Sequence, residues 1–374
     1  MFYRTRIFGA LALVLAACFV LSGARAQQQQ PSPQQQRPQQ RPTPQRPDDA
    51  IDEDDVERVE TDLTNVLFTA VDRNKRFVTS LKKEDVRVLE DGVEQQVFAF
   101  QRETDRPLSL AILIDTSASQ ERTLPEEKSA AQRFVDAVIR PSKDEVAVLS
   151  FTGETTLEQG LTGNPSRVRQ AIDRIEFQLP SGYLGGGVAV GVPGGRPGTP
   201  PISGDNQSKA GSTAIWDAIW VTASDVLSET SDKTRRAMIL LTDGVDTSSG
   251  KKFDEAVQHA LKADAIIYSI GIGDDFMQGV DRGSLNKLSE RTGGRAFFPR
   301  SEEDLRSAFA QIQDELRSQY LIAYSPSNKA KDGSFRRVQI EVSNPDLLKM
   351  DLRLTYRQGY FAQSATHGAP KKRP

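Results

Sequence analysis

One stretch constrains the fold more than any other. Residues 108–114 form an almost unbroken apolar run that ends abruptly in one carboxylate, Asp115, with hydroxyls following at Ser117 and Ser119. A run of that length without polar alternation predicts a strand buried on both faces, as in a parallel sheet. Polar groups just past the carboxyl end of such a strand stand where open α/β sheets place their ligands. Asp115, Ser117 and Ser119 offer only oxygen, which suits a hard divalent cation such as Mg²⁺.

Three oxygens are too few for an octahedral ion, and two further donors lie downstream. Gly211-Ser212-Thr213 opens a helical stretch with the Thr213 hydroxyl at its start, and Ile239-Leu240-Leu241-Thr242-Asp243-Gly244 is a second apolar strand ending in a carboxylate. Asp and Ser after a strand are also ordinary turn and capping residues. The first motif alone does not separate the two readings; the ordered set does. That set, Asp-x-Ser-x-Ser, then Thr, then Thr-Asp-Gly, resembles the metal-ion-dependent adhesion site (MIDAS) of von Willebrand factor A (VWA) domains. The resemblance implies that Ser117 and Ser119 bind the cation directly. Thr213 would bind directly or through water, and Asp115 and Asp243 largely through bridging waters. Mg²⁺ is the expected ion, with Mn²⁺ or Ca²⁺ as alternatives. Its direct ligands would carry little charge, leaving it able to accept a Glu or Asp carboxylate from a partner protein.

The rest of the chain alternates strand and helix from 107 to 318. Apolar strands are expected near 145–151, 237–241 and 265–272, with a short antiparallel edge strand at 155–161. Helices are expected at 124–139, 166–175 (capped by Ser166), 213–227, 253–262, 284–292 and 302–316, and a last short strand at 296–298. The fold class expected is α/β: a doubly wound, mostly parallel sheet with helices on both faces. Trp216 and Trp220, spaced i and i+4, read as a buried stripe rather than a ligand platform. Asp246, Thr247, Ser248 and Ser249 read as a cap for the next helix, and Asp274 and Asp275 as surface.

Period-two patterns flank this region. Residues 60–105 read as a small β module with a Glu90-Asp91-Gly92 turn, and 319–362 as strands that pack on it. Both pieces are short for independent stability, so the α/β domain would be inserted in a β unit built from both ends. Together with Val88-Leu89-Glu90-Asp91-Gly92, Gln319-Tyr320-Leu321-Ile322-Ala323-Tyr324 and Gly359-Tyr360-Phe361, the whole is similar to the exported bacterial VWFA-related acidobacterial domain. That resemblance sharpens the fold more than the function.

The amino end reads as export. Arg4 and Arg6 precede an apolar run to Leu21, and Ala24-Arg25-Ala26 is a small-x-small cleavage site, so 1–26 is the expected signal peptide. Leu15-Ala16-Ala17-Cys18 also resembles a lipobox, which would lipidate Cys18 and tether the protein to a membrane. The apolar core runs on past the cysteine, and cleavage after Ala26 is preferred. The mature chain then has no cysteine, which excludes disulfides and a thiol nucleophile. It loses Arg4, Arg6 and Arg25 and no acid, taking the formal charge from −3 to −6. An acidic protein without a basic stripe argues against nucleic acid as a partner. Residues 27–59, first Gln- and Pro-rich and then acidic, form an expected disordered spacer. Residues 363–374 form a disordered tail. A Gly- and Pro-rich insertion at 180–211 leads into Thr213; its Gly185-Gly186-Gly187 run is no phosphate loop, as no Gly-Lys-Ser/Thr follows.

Of the two histidines, His259 falls in a helix and His367 in the tail, so a Ser-His-Asp triad has no support. An aspartyl-phosphate enzyme would want a second acid and a lysine where this chain has hydroxyls. The sequence therefore favours a secreted or envelope protein-binding domain that is not an enzyme. An envelope scaffold with a structural ion is the alternative, and a metal-dependent hydrolase the weaker third reading.

Overall fold

A computed structural model of the chain describes residues 63–103, 106–177, 212–231, 233–273 and 279–364. The leader with Cys18, the spacer, the insertion at 180–211, Asp274, Asp275 and His367 lie outside the described residues. Among the described residues no helix is long and apolar enough to cross a membrane.

Four strands come first: β1 (Thr64–Val71), β2 (Val86–Glu90), β3 (Val93–Gln95) and β4 (Val97–Arg102). In β1, Val66, Phe68 and Ala70 alternate into one core, while Leu67 and Thr69 on the other face turn to the α/β layer, as the period of two requires. Between β2 and β3, Asp91 and Gly92 take φ of 49° and 82°, the backbone of a two-residue hairpin turn.

The apolar run becomes β5 (Leu108–Asp115), buried at every residue because it lies inside the sheet. It pairs in parallel with β6 (Glu145–Phe151) on one side and β8 (Arg235–Thr242) on the other. Next to β8 come β9 (Ala265–Gly271) and β10 (Ala296–Phe297), also parallel. The other edge is closed by β7 (Thr155–Thr162), antiparallel to β6 as expected. Helices α1 (Leu124–Val138), α2 (Pro165–Arg174) and α6 (Glu302–Arg317) cover one face with Leu110, Ile112 and Ile114 beneath them. The opposite face carries α3 (Ile215–Val221), α4 (Phe253–Lys262) and α5 (Arg282–Thr292), over Ala111 and Leu113. Alternate β5 side chains thus feed two separate cores, which is why the sequence shows no polar alternation there. This is the doubly wound α/β architecture expected.

Three local expectations change. The helix expected over 213–227 is α3 followed by a π-helical turn at Thr222–Leu227, where Thr222 Oγ1 donates to Ala218 O at 2.7 Å. Helix α2 is capped by Asn164, whose Oδ1 accepts from Ser166 N and Arg167 N at 3.0 and 3.4 Å, and not by Ser166. Pro165 takes the first helical position, where its missing N–H is harmless. Pairing also runs past residue 362, since Ser364 bridges Asp332.

After α6 the chain returns to β structure with β11 (Tyr320–Tyr324), β12 (Phe335–Val342), a short α7 (Pro345–Leu348), β13 (Arg353–Tyr356) and β14 (Gly359–Phe361). These strands pair with the amino-terminal ones in two antiparallel sheets, ordered β13-β1-β11-β4 and β14-β12-β2-β3. The two share a core that includes Phe68, Val88, Tyr320, Ile322, Val338 and Ile340. Several contacts fasten this sandwich to the α/β layer. Glu315 of α6 accepts from Thr69 of β1 at 3.4 Å and pairs with Arg295 at 2.7 Å. Arg357 pairs with Asp264 and donates to Asn65 O at 2.6 Å.

Candidate functional site

From β5 the chain crosses through α1 to β6 on one side, and from β8 through α4 to β9 on the other. The carboxyl ends of β5 and β8 therefore flank the topological switch point, where open α/β sheets bind ligands. Asp115 ends β5 and Thr242-Asp243 follows from β8, so the two carboxylates read from the sequence meet at this rim.

Asp115 is fully buried. Its Oδ1 accepts from Ser117 N at 2.9 Å and its Oδ2 from Thr242 Oγ1 at 2.6 Å, a bond that ties β5 to β8. Thr116 holds the loop against β6, donating its N–H to Phe151 O at 2.9 Å and its hydroxyl to the same oxygen at 3.2 Å. The next turn brings Ser117 Oγ and Ser119 Oγ to 3.1 Å from each other. Gln120, fully buried, donates Nε2 to Ile272 O at 3.2 Å beyond β9 and to Ser119 Oγ at 3.4 Å.

Asp243 is 6% exposed, and its Oδ1 accepts from Val245 N at 2.9 Å. Thr213 is also buried and sits between two elements of the same rim. Its N–H donates to Thr247 Oγ1 at 2.8 Å, while Ala214 N donates to Thr152 O at 2.7 Å beyond β6. The loop after β8 thus grips Thr213, and the end of β6 grips its neighbour.

That loop corrects one sequence expectation. Residues 246–249 cap α3, which precedes them, and not α4. Asp246 Oδ1 accepts from Ile215 N at 2.8 Å, and Ser249 Oγ accepts from Trp216 N and Asp217 N at 3.0 and 3.3 Å. Helix α4 starts instead with Lys252 N donating to Glu255 Oε2 at 2.8 Å. Trp216 is 8% exposed and packs edge-on against Phe253, as a core residue. Trp220 is half-buried, with Lys251 Nζ 4.6 Å from its ring centre. His259 is occupied elsewhere: its Nδ1 lies 2.8 Å from Ser224 Oγ and its ring against Trp220.

Burial is the main electrostatic fact of the rim. It pushes Asp115 up from 3.8 to about 7; the bonds from Thr242 and Ser117 oppose the rise and the charge of Asp243 adds to it. Among the described residues neither Asp115 nor Asp243 is ion-paired. Two acids sharing a buried rim without a cationic side chain fit a divalent cation, which would relieve both. Among the described residues no three His, Cys, Asp or Glu side chains stand together as a metal cluster. An ion here must draw on hydroxyls as well as carboxylates, and the oxygen-only set of Ser117, Ser119, Thr213, Asp115 and Asp243 is of that kind.

One acid was not singled out in the sequence. Glu127, on α1, is fully buried, and neither carboxylate oxygen has a hydrogen-bond partner. Its signal was position: it lies on the stripe that buries Leu124, Ala131, Phe134 and Val138, where an apolar residue would be ordinary.

The sequence profile of the von Willebrand factor type A domain matches residues 202–311, and a second profile of the same description matches 110–191. No curated protein matches the sequence significantly. Solved structures similar to this chain include proximal thread matrix protein 1 from the mussel byssus. It is 18% identical, with 61% of this chain and 51% of that one covered, at a TM-score of 0.44. The chain thus spans about half the length of the mussel protein. A von Willebrand factor type A protein from Catenulispora acidiphila is 13% identical, with 83% and 76% covered and a TM-score of 0.43. BatB from Bacteroides thetaiotaomicron, described as a conserved hypothetical protein, is 16% identical, with 56% and 98% covered and a TM-score of 0.39.

Proposed function

Since the chain carries a von Willebrand factor type A domain, we propose that it is an exported, metal-dependent protein-binding module that captures an acidic side chain of its partner through a bound divalent cation. Domains of this kind are generally protein-interaction or adhesion modules and often depend on a metal. The observation that carries the reading is the rim itself. Asp115 is joined to Thr242 across β5 and β8, and the Ser117–Ser119 hydroxyl pair lies one turn on.

In this reading Ser117, Ser119, Thr213, Asp115 and Asp243 would hold the divalent cation, with Mg²⁺ the expected ion. When bound, the ion would supply an electrophilic centre for an anionic oxygen of the partner. The protein's own groups do the rest. Thr242 and Ser117 N fix the Asp115 carboxylate, Val245 N fixes Asp243, and Thr247 fixes the backbone of Thr213. The reading is one of binding without turnover, consistent with the engagement of His259 by Ser224 away from any hydroxyl of the rim. Export rests on the leader at 1–26.

The test is a pull-down from bacterial envelope extract with wild type and Asp115→Ala, each in Mg²⁺ or chelator. A partner held only by wild type in Mg²⁺ supports the metal bridge. A partner retained equally in all four conditions overturns it.

A further inference from the structure

A fully buried carboxylate with both oxygens unpartnered is rare in native proteins, because each bare polar atom carries its full desolvation penalty. Glu127 is such a group. Local helix chemistry does not account for it. Thr123 precedes α1, and the residue that would complete a capping box three positions on is Glu126, not Glu127. Nor does packing call for an acid there, since its neighbours on the stripe are apolar.

The start of the same helix is tied to the rim. One turn before Glu127, Thr123 Oγ1 donates to Gln120 Oε1 at 3.1 Å. Gln120 in turn donates to Ser119 Oγ and to Ile272 O. The hydrogen bonds that start from Thr123 thus run through Gln120 and end on one of the hydroxyls assigned to the ion. Burial raises the Glu127 carboxyl to about 8; the Thr123 hydroxyl beside it opposes the rise, and the charges of Asp115 and Asp243 add to it. Among the described residues none of these three acids is ion-paired, so a rim with two acids in its sequence motif has a third behind it.

We infer that Glu127 belongs to the cation site as a positioning residue, its two free oxygens accepting hydrogen bonds from water that the ion brings. The inference rests on the metal-binding reading above. It explains why evolution leaves an acid on the apolar stripe of α1: outer partners of a metal site, hydrogen-bonded to the inner set, tune affinity by 10–100-fold. It also predicts opposite signs for two measurable quantities. Removing the ionisable carboxyl should help the metal-free fold, which must bury it, and harm the metal-bound one.

The experiment titrates Mn²⁺ and Mg²⁺ into the full chain by calorimetry, with urea unfolding in chelator alongside. Wild type, Glu127→Gln, Glu127→Met and Asp115→Ala are compared. Glu127→Gln is expected to bind Mn²⁺ 10–100-fold more weakly than wild type, while its metal-free form unfolds at the same or higher urea concentration. Glu127→Met, which fills the space with no polar oxygen, should lose affinity equally and be the more stable when metal-free. A residue with only a structural role would lower both quantities together. Wild type that binds and Glu127→Gln that binds within twofold of it overturns this inference alone. Wild type that takes up no Mn²⁺ overturns the metal reading and this inference with it.

Discussion

Replacing Asp115 by Asn in metal-free protein should stabilise it, and by an amount that grows with pH. The carboxyl is raised from 3.8 to about 7, first by burial and then by Asp243, against the opposing bonds from Thr242 and Ser117. A folded-state value above the unfolded one means that the folded form binds the extra proton. Stability from this group is therefore complete below 3.8 and is lost as pH rises through 7. At about 1.4 kcal/mol per tenfold in proton affinity, the full loss is about 4 kcal/mol. Roughly 1.7 kcal/mol of that is already lost at pH 5, so the gap between Asp115→Asn and wild type should widen by about 2.5 kcal/mol from pH 5 to pH 8. Glu315 is raised as well and slopes both proteins alike; Glu127 is raised in part by the charge of Asp115, so its smaller slope in the variant adds to the same widening. The assay is urea unfolding in chelator at the two pH values, repeated in Mg²⁺. There the gap should shrink, because wild type alone gains binding energy, about 2.7 kcal/mol at a hundredfold excess over Kd. A gap that stays constant from pH 5 to pH 8 in chelator would refute the account of Asp115 as an unrelieved buried charge.

Two further predictions concern the sandwich and its seam. Arg336 is 2% exposed and faces Glu90 at 3.5 Å, while the other Glu90 oxygen accepts from Tyr324 and Tyr360, each at 2.9 Å. Arg336→Met should cost about 3–5 kcal/mol by stranding that acid, and Glu90→Gln in the same protein should recover part of it; urea unfolding of the single and double variants measures both. Gly293 ends α5 at φ 88°, and a Cβ there would stand 2.6 Å from the backbone N of Arg357 in the β13–β14 connection. Gly293→Ala should therefore lower stability by about 2 kcal/mol or more, seen as a lower Tm with Mg²⁺ affinity unchanged.

How much of this was legible depended on whether the cause was local. The unbroken apolar run at β5 announced a strand covered on both faces, and the alternation in β1 announced a strand, though not that its second face is covered by the α/β layer. The run and the alternation are properties of a strand's own side chains. The Asn164-Pro165 start of α2 was also written locally, and reading Ser166 as the cap overlooked the proline at the first helical position. The role of residues 246–249 was of another kind. Small oxygen-bearing residues before a helix predict a cap for that helix, but their donors lie at Ile215, Trp216 and Asp217, more than thirty positions earlier. No pattern within the segment reports that partner. Here the distant bond matters for function, because the same loop takes the backbone of Thr213 and so links the order of the rim to the start of α3. Glu127 stands between the two cases. Its place on a buried stripe was visible in the spacing, whereas the absence of any partner became visible only when Asp115 and Asp243 were brought near it. An acid on an apolar stripe, close to strand ends that already carry two acids, marks where this fold gave up packing energy, and that sacrifice is intelligible if a cation completes the rim.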